Sequence, residues 1–303
     1  MATTLTALRR QISSAGDLKA VVRTMKASAA SAIGQYEQSV TALADYARTV
    51  EFGLGVCLRA VDPLGLQRQE PTTDATAVVH AIVFGSDQGL VGRFNEAVVE
   101  HALAALSQPS ANTKTTVKIW AVGERVEARL ADAGIALEGS FAVPGSVELI
   151  TQLVGQILLN IQLPDSAAKI ATQHATLMLF FNRPSALGYS PESQRLLPLD
   201  AAWQRALVSQ PWPAKQLPEV LGSNATTLQA FVREHLFVSL FRASAESLAS
   251  ENASRLAAMQ RADRNIGERL QTLQAQFHQL RQAGIDEELF DVISGFDALS
   301  AGD

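Results

Sequence analysis

The stretch Gly85-Ser86-Asp87-Gln88-Gly89-Leu90-Val91-Gly92 has the residue types for holding a phosphate. Glycines permit tight turning, and backbone N–H groups at a helix start favour anions. It has neither the Lys-Ser/Thr of a Walker loop nor the spacing GxGxxG. A helix-capping role for Ser86 or Asp87 accounts for the same residues with less. The five histidines, His80, His101, His174, His235 and His278, fall at no metal-ligand spacing with acids or with Cys57. No GxSxG, HExxH or kinase set occurs. No active site, metal site or cofactor is therefore expected, and Cys57 reads as a small packed hydrophobe.

The chain has 303 residues, a net charge of −5 and 47% hydrophobic residues, enough for a sizeable core. Global disorder is excluded, and nucleic acid is not an expected partner, since that needs a basic excess. A lone cysteine forms no internal disulfide, which points to a reducing compartment or to indifference to redox. No apolar run approaches the 18 residues of a spanning helix. Residues 1–30 carry Arg9, Arg10, Lys19, Arg23 and Lys26 against Asp17, a composition shared by transit peptides and basic helices. Unbroken periodicity through this segment favours a helix of the mature protein.

That periodicity sets the architecture. From Leu5 through Leu8, Ile12, Ala15, Leu18, Val22, Met25 and on to Leu54, apolar residues recur at a mean spacing of about 3.5, a coiled-coil seam. Val238, Phe241, Ala245, Leu248, Asn252, Arg255, Met259 and onward to Gly284 repeat the pattern, with Asn252 and Arg255 as polar seam positions. The stripe then shifts by one to Ile285, Leu289, Val292, Phe296 and Leu299. Between these segments, Val78–Phe84, Val117–Val122 and Thr176–Phe181 read as buried strands, alternating with helices over Arg93–Leu106, Gly123–Ala133 and Ser146–Ile161. Pro184–Pro198 reads as a hairpin, and Pro63–Thr76 and Pro211–Asn224 as junctions.

The expected fold class is α/β: a long antiparallel coiled coil of the N- and C-terminal helices plus a small Rossmann-like domain. The expected domains are residues 1–58, 76–200 and 220–303. A helix over Leu228–Leu299 would be about 108 Å long, against a radius of gyration near 19 Å for a compact chain of this size. It is expected to project with the N-terminal helix as a rod. Because it outruns that helix, Val292, Phe296 and Leu299 should lie uncovered, a binding surface for another subunit.

Three stretches of the chain resemble the gamma subunit of F-type ATP synthases. They are Leu8-Arg9-Arg10-Gln11-Ile12 with Thr24-Met25-Lys26-Ala27-Ser28-Ala29, then Ser86 to Asn95, then Glu251 to Met259 with Arg281-Gln282-Ala283-Gly284-Ile285 and Ile293-Ser294-Gly295. Val91 stands where the family usually has cysteine, so the chain reads as a divergent member. The resemblance implies a rotating central stalk that couples ion flow to ATP synthesis or hydrolysis. Its implied partners are the alpha/beta-type catalytic hexamer, an epsilon-type stalk subunit and the membrane c-type ring. It implies a peripheral membrane protein on the cytoplasmic face of a bacterial inner membrane. By the same match, Met25, Lys26, Arg281 and Gln282 are contacts with catalytic subunits, and Ile285, Leu289, Val292, Phe296 and Leu299 are the bearing inside the hexamer. The residues also leave open a specialised ion-pumping version, a coiled-coil scaffold, and an enzyme using the Gly85–Gly92 loop for a nucleotide.

Overall fold

The computed structural model describes residues 4–61, 78–107, 116–161, 175–186, 188–216, 218–220 and 222–300, without the side chains at 61, 175 and 295–300. The expected junction over residues 63–76 lies outside the described residues. Contacts divide the chain into two units, Ala30–Arg255 and Met1–Ala29 with Leu256–Asp303. Two helices contribute to both: α1 (Leu5–Val61) and α6 (Asn224–Ser300), of 57 and 77 residues. The basic N-terminal segment is thus part of α1 from Leu5 onward.

In the unit Ala30–Arg255, β1 (Val78–Phe84) pairs in parallel with β2 (Thr116–Val122) and with β4 (Ala175–Ser185). β3 (Leu137–Phe141) extends the sheet in parallel beside β2, and β5 (Gly188–Leu197) closes it antiparallel to β4. The order is β3-β2-β1-β4-β5. Period-two alternation sends Ala81 and Val83 to one face and Ile82 and Phe84 to the other. The first face packs under α2 (Phe94–Leu106) and α3 (Glu124–Asp132) through Val98, Ala102, Val126 and Leu130. The second packs under α4 (Val147–Asn160) and the long helices through Ile150, Val154, Leu54, Leu236 and Leu240. Burial on both faces explains why β1, β2 and β4 are runs of apolar residues.

The long helices run antiparallel in this unit. The Tyr46 hydroxyl donates to Glu234 at 2.6 Å, and seven residues further along α1, Gly53 faces Phe231. A Cβ on Gly53 would stand 2.2 Å from that ring, so the missing side chain lets the helices close. Past β5 comes α5 (Ala201–Ser209), capped by Asp200, whose carboxylate accepts from Trp203 N at 2.9 Å.

His235 on α6 stacks against Trp203 of α5, ring centroids 4.6 Å apart. Burial lowers its pKa from 6.5 to about 4, so the ring is neutral at pH 7. The unfolded chain binds a proton there at higher pH than the folded one. The penalty is therefore absent above pH 6.5 and grows as pH falls from 6.5 towards 4, reaching about 3 kcal/mol. Urea titrations at pH 7 and pH 4.5 should show His235→Phe losing less stability on acidification than the parent; equal losses would refute the neutral buried ring.

In the second unit, the two helices again run antiparallel. The Arg9 guanidinium lies over the Phe277 ring at 5.7 Å, and Lys26 Nζ meets Asp263 at 3.5 Å. Leu8, Val22 and Ala29 are buried on α1, Met259 and Leu273 on α6, as the seam predicts. One seam position differs. Leu18 is 53% exposed, and Lys19 takes the inward place. Gly267 stands opposite, where an added Cβ would be 3.3 Å from Lys19 Nζ. Stepping four residues from Ala15 keeps the 3.5 spacing as well as stepping three does, and the glycine leaves room for the lysine ammonium against α6.

Candidate functional site

The Gly85–Gly92 loop spends the backbone N–H groups of Gly85 and Ser86 and the Asp87 carboxylate on the fold. Gly85 N donates to Val122 O at 2.8 Å and Ser86 N to Asn95 Oδ1 at 3.0 Å, so neither is free for a phosphate. Asn95 Nδ2 returns a bond to Ser86 Oγ at 2.9 Å. Asp87 does cap a helix, though a distant one: its carboxylate accepts from Glu124 N, at the start of α3, at 2.9 Å. Its other oxygen accepts from Val143 N at 3.0 Å, just past β3. The same loop reaches α6, where Ser254 Oγ donates to Val91 O. The loop is a joint tying β1, α3, the end of β3 and α6 together. Leu90 at its tip has φ of 65° and is exposed.

Next to that joint, α6 carries an almost enclosed ion pair, Arg255 with Glu251, one helical turn apart. Arg255 also donates to Asn252 Oδ1 at 3.3 Å. The polar seam positions are thus occupied by a bonded set. Burial raises the Glu251 carboxyl above its ordinary value, against the opposing pull of the Arg255 charge. The seam pattern located Arg255 and Asn252; Glu251, the partner that makes them tolerable, lay off the pattern.

The candidate contact residues fall into two kinds. Met25 is half-buried, and Lys26 is engaged by Asp263, which also meets Arg23 at 3.7 Å. These pairs are part-exposed and of small energetic weight. Arg281 and Gln282 are exposed on α6, without a hydrogen bond or ion pair to another described residue. Beyond them Ile285, Leu289 and Val292 are 53%, 57% and 69% exposed. Phe296 and Leu299 lie outside the described residues as far as side chains go. Phe290 and Ile293 are exposed too and were not in the expected stripe, because a seam pattern keeps one residue per half-heptad while an uncovered helix shows every apolar side chain.

Among the described residues, no group of three acids, histidines or cysteines could hold a metal ion. No described helix is long and apolar enough to cross a membrane. Cys57 is buried, and burial pushes its thiol pKa up, the reverse of a reactive cysteine.

Comparison with known proteins gives these surfaces their setting. The family described as ATP synthase matches residues 4–299. The ATP synthase gamma chain of Paramagnetospirillum magneticum is 28% identical over 295 residues, covering 96% of this chain and 98% of that protein. That of Granulibacter bethesdensis is 28% identical over 318 residues, covering 97% and 99%. Among solved structures, a chain of the OSCP/F1/c-ring of Euglena gracilis mitochondrial ATP synthase shares the fold with a TM-score of 0.62 at 16% identity, covering 98% of this chain and 95% of that one. A chain of the central stalk and c-ring of the Tetrahymena thermophila enzyme does so at 0.54 and 22%, covering 80% and 99%. Matched from residue 4 to residue 299, with two long antiparallel helices and the small sheet between them in sequence, the chain belongs to the ATP synthase gamma family, the central-stalk subunits of rotary F-type ATP synthases.

Proposed function

We propose that this chain turns inside an alpha/beta-type catalytic hexamer, with Ile285, Leu289, Val292, Phe296 and Leu299 as its bearing and Met25, Lys26, Arg281 and Gln282 as contacts with catalytic subunits. The observation that carries this reading is the apolar stripe Ile285, Leu289 and Val292, exposed at the end of α6. Water is a poor neighbour for such a row, and a collar from another subunit would cover it. A helical pair without threefold symmetry presents different side chains to each catalytic subunit, so each site holds a different nucleotide affinity. The coupling is reciprocal: nucleotide occupancy biases shaft angle, and shaft angle biases affinity. Ion flow through a c-type ring supplies about 2.3 kcal/mol per charge per 100 mV. Buried joints such as Ser254–Val91 and Glu251–Arg255 help α6 resist twisting within its unit.

The subunit would then be peripheral to the membrane through the ring, beside an epsilon-type subunit, on the cytoplasmic face of a bacterial inner membrane. The four contacts are tested in the assembled complex. Arg281→Ala with Gln282→Ala should lower coupled turnover by about tenfold, the worth of one charge-assisted hydrogen bond. Both side chains are exposed, so circular dichroism of the isolated subunit should be unchanged. Turnover equal to the parent would remove these residues from the contact.

A further inference from the structure

The unit Ala30–Arg255 contains a cavity that the rotor function does not use. Its volume is about 520 Å³, and its walls come from α1, β4, β5, the start of α5 and α6. Small-molecule sites typically occupy about 300–1,000 Å³ and join apolar walls to a few placed polar groups. Here Val50, Leu196 and Val238, each nearly fully buried, form an apolar floor. Trp203 and His235 add a stacked ring pair.

The charged wall residues are not equivalent. Arg183 is engaged by Glu192 at 2.7 Å and Glu246 at 2.9 Å. Arg242 gives only its Nε to Glu246, at 2.7 Å, which leaves both terminal nitrogens without a hydrogen bond to another described residue. Arg195 forms an ion pair with Asp200 at 3.8 Å, beyond hydrogen-bond reach, so its side-chain donors also lack a hydrogen bond to another described residue. Both side chains are more than half exposed, which places them where the wall meets water. Glu51 and Asp200 also line the wall, fewer than the three arginines. An apolar floor with two arginines whose fork-shaped terminal donors lack a hydrogen bond matches an acid head on an apolar body.

We propose that this cavity binds a single-chain amphipathic anion, its apolar body on the Val50, Leu196 and Val238 floor beside Trp203 and its acid head on Arg195 and Arg242. Such a molecule could come from a bilayer or be free in solution; the chemistry of recognition is the same.

The test is calorimetric titration of the full chain with sodium decanoate. Saturable binding is expected, with Arg195→Gln plus Arg242→Gln raising Kd about tenfold or more. Decyltrimethylammonium and decanol, equal in chain length but without the negative head, should bind at least about tenfold more weakly. Ala44→Phe keeps both arginines and places a ring at the exposed Ala44 in the cavity wall; it should abolish binding with the circular dichroism unchanged. Phosphatidylcholine vesicles carrying lysophosphatidylglycerol, a single-chain anionic lipid, separate the sources. Flotation of the chain that Ala44→Phe abolishes identifies a bilayer lipid, and decanoate binding without flotation identifies a free amphiphile. No saturable binding of decanoate, equal affinity in the double arginine variant, or equal affinity for the cationic or neutral analogue would each overturn the proposal.

Discussion

Gly123→Ala should cost the sheet-bearing unit about 3 kcal/mol or more, a large effect for a single methyl group. Gly123 links β2 to α3 with φ of 113°, where a side chain is strained whatever the space around it. Space is also lacking: a Cβ there would lie 2.8 to 2.9 Å from the backbone O, C and N of Ser86. Those atoms cannot retreat cheaply. Ser86 O accepts from Arg125 N at 2.9 Å, Ser86 N donates to Asn95, and Gly123 N is itself bonded to Phe141 O at 2.9 Å. Gly134, with φ of 75° and nothing within 4 Å of its would-be Cβ, isolates the conformational part, and Gly134→Ala should cost about 1 kcal/mol. Urea midpoints followed by the emission of Trp120, which stacks on Phe141 beside this crossing, would compare the two. Equal losses would mean that the approach to Ser86 carries no energy.

That crossing also shows where sequence reading reaches its limit. The strands β1, β2 and β4 were legible because burial on both faces demands uninterrupted apolar runs, and the long helices because a seam repeats every half-heptad. β3 was not legible. Leu137-Glu138-Gly139-Ser140-Phe141 has few large apolar residues, and its central position holds glycine, where a Cβ would sit 2.6 Å from the Trp120 ring. α5 was missed for the same kind of reason, since nine residues carry too few turns to show a period. Lys19 replacing Leu18 in the seam depends on Gly267, about 250 residues away, which no local pattern can report.

The candidate partner surfaces were legible only in part, and the physical reason differs for each. An unpaired stripe can be found by comparing helix lengths, which is how Val292 emerged; Ile285 and Leu289 came from the one-residue shift of the seam and are exposed as well. Arg281 and Gln282 carry no periodic or chemical signal of their own; they came from resemblance to the family. The loop Ser86–Asn95 shows why type and spacing alone mislead. The same Ser-Asp pair and glycines that suit a phosphate cradle are here bonded to the chain itself, with Asp87 accepting from Glu124 N and Val143 N and Ser254 donating to Val91 O, an arrangement no local pattern reports.

Arg255→Met should lower stability by about 3–5 kcal/mol at pH 7, because it strands Glu251 as an unpaired charge in a nearly closed site. Side-chain exposures of 12% for Arg255 and 6% for Glu251 leave little water to compensate. The sign of the pH dependence follows from the carboxyl. Burial holds its folded pKa above the unfolded value, so its ionised form costs stability above that unfolded value, and protonation relieves the cost. Without Arg255 the folded pKa rises further, and the deficit of the variant should shrink as pH falls from 7 towards 5. Arg255→Met with Glu251→Gln removes the charge altogether and should recover much of the loss, since replacing both partners is far milder than breaking the pair. Urea unfolding of the parent and both variants at pH 7 and 5 measures all of this. A deficit below about 1 kcal/mol, unchanged by pH and not recovered in the double variant, would mean that Glu251 finds solvent or another donor. The pair would then be incidental to the joint that holds α6, through Ser254, against the loop at Val91.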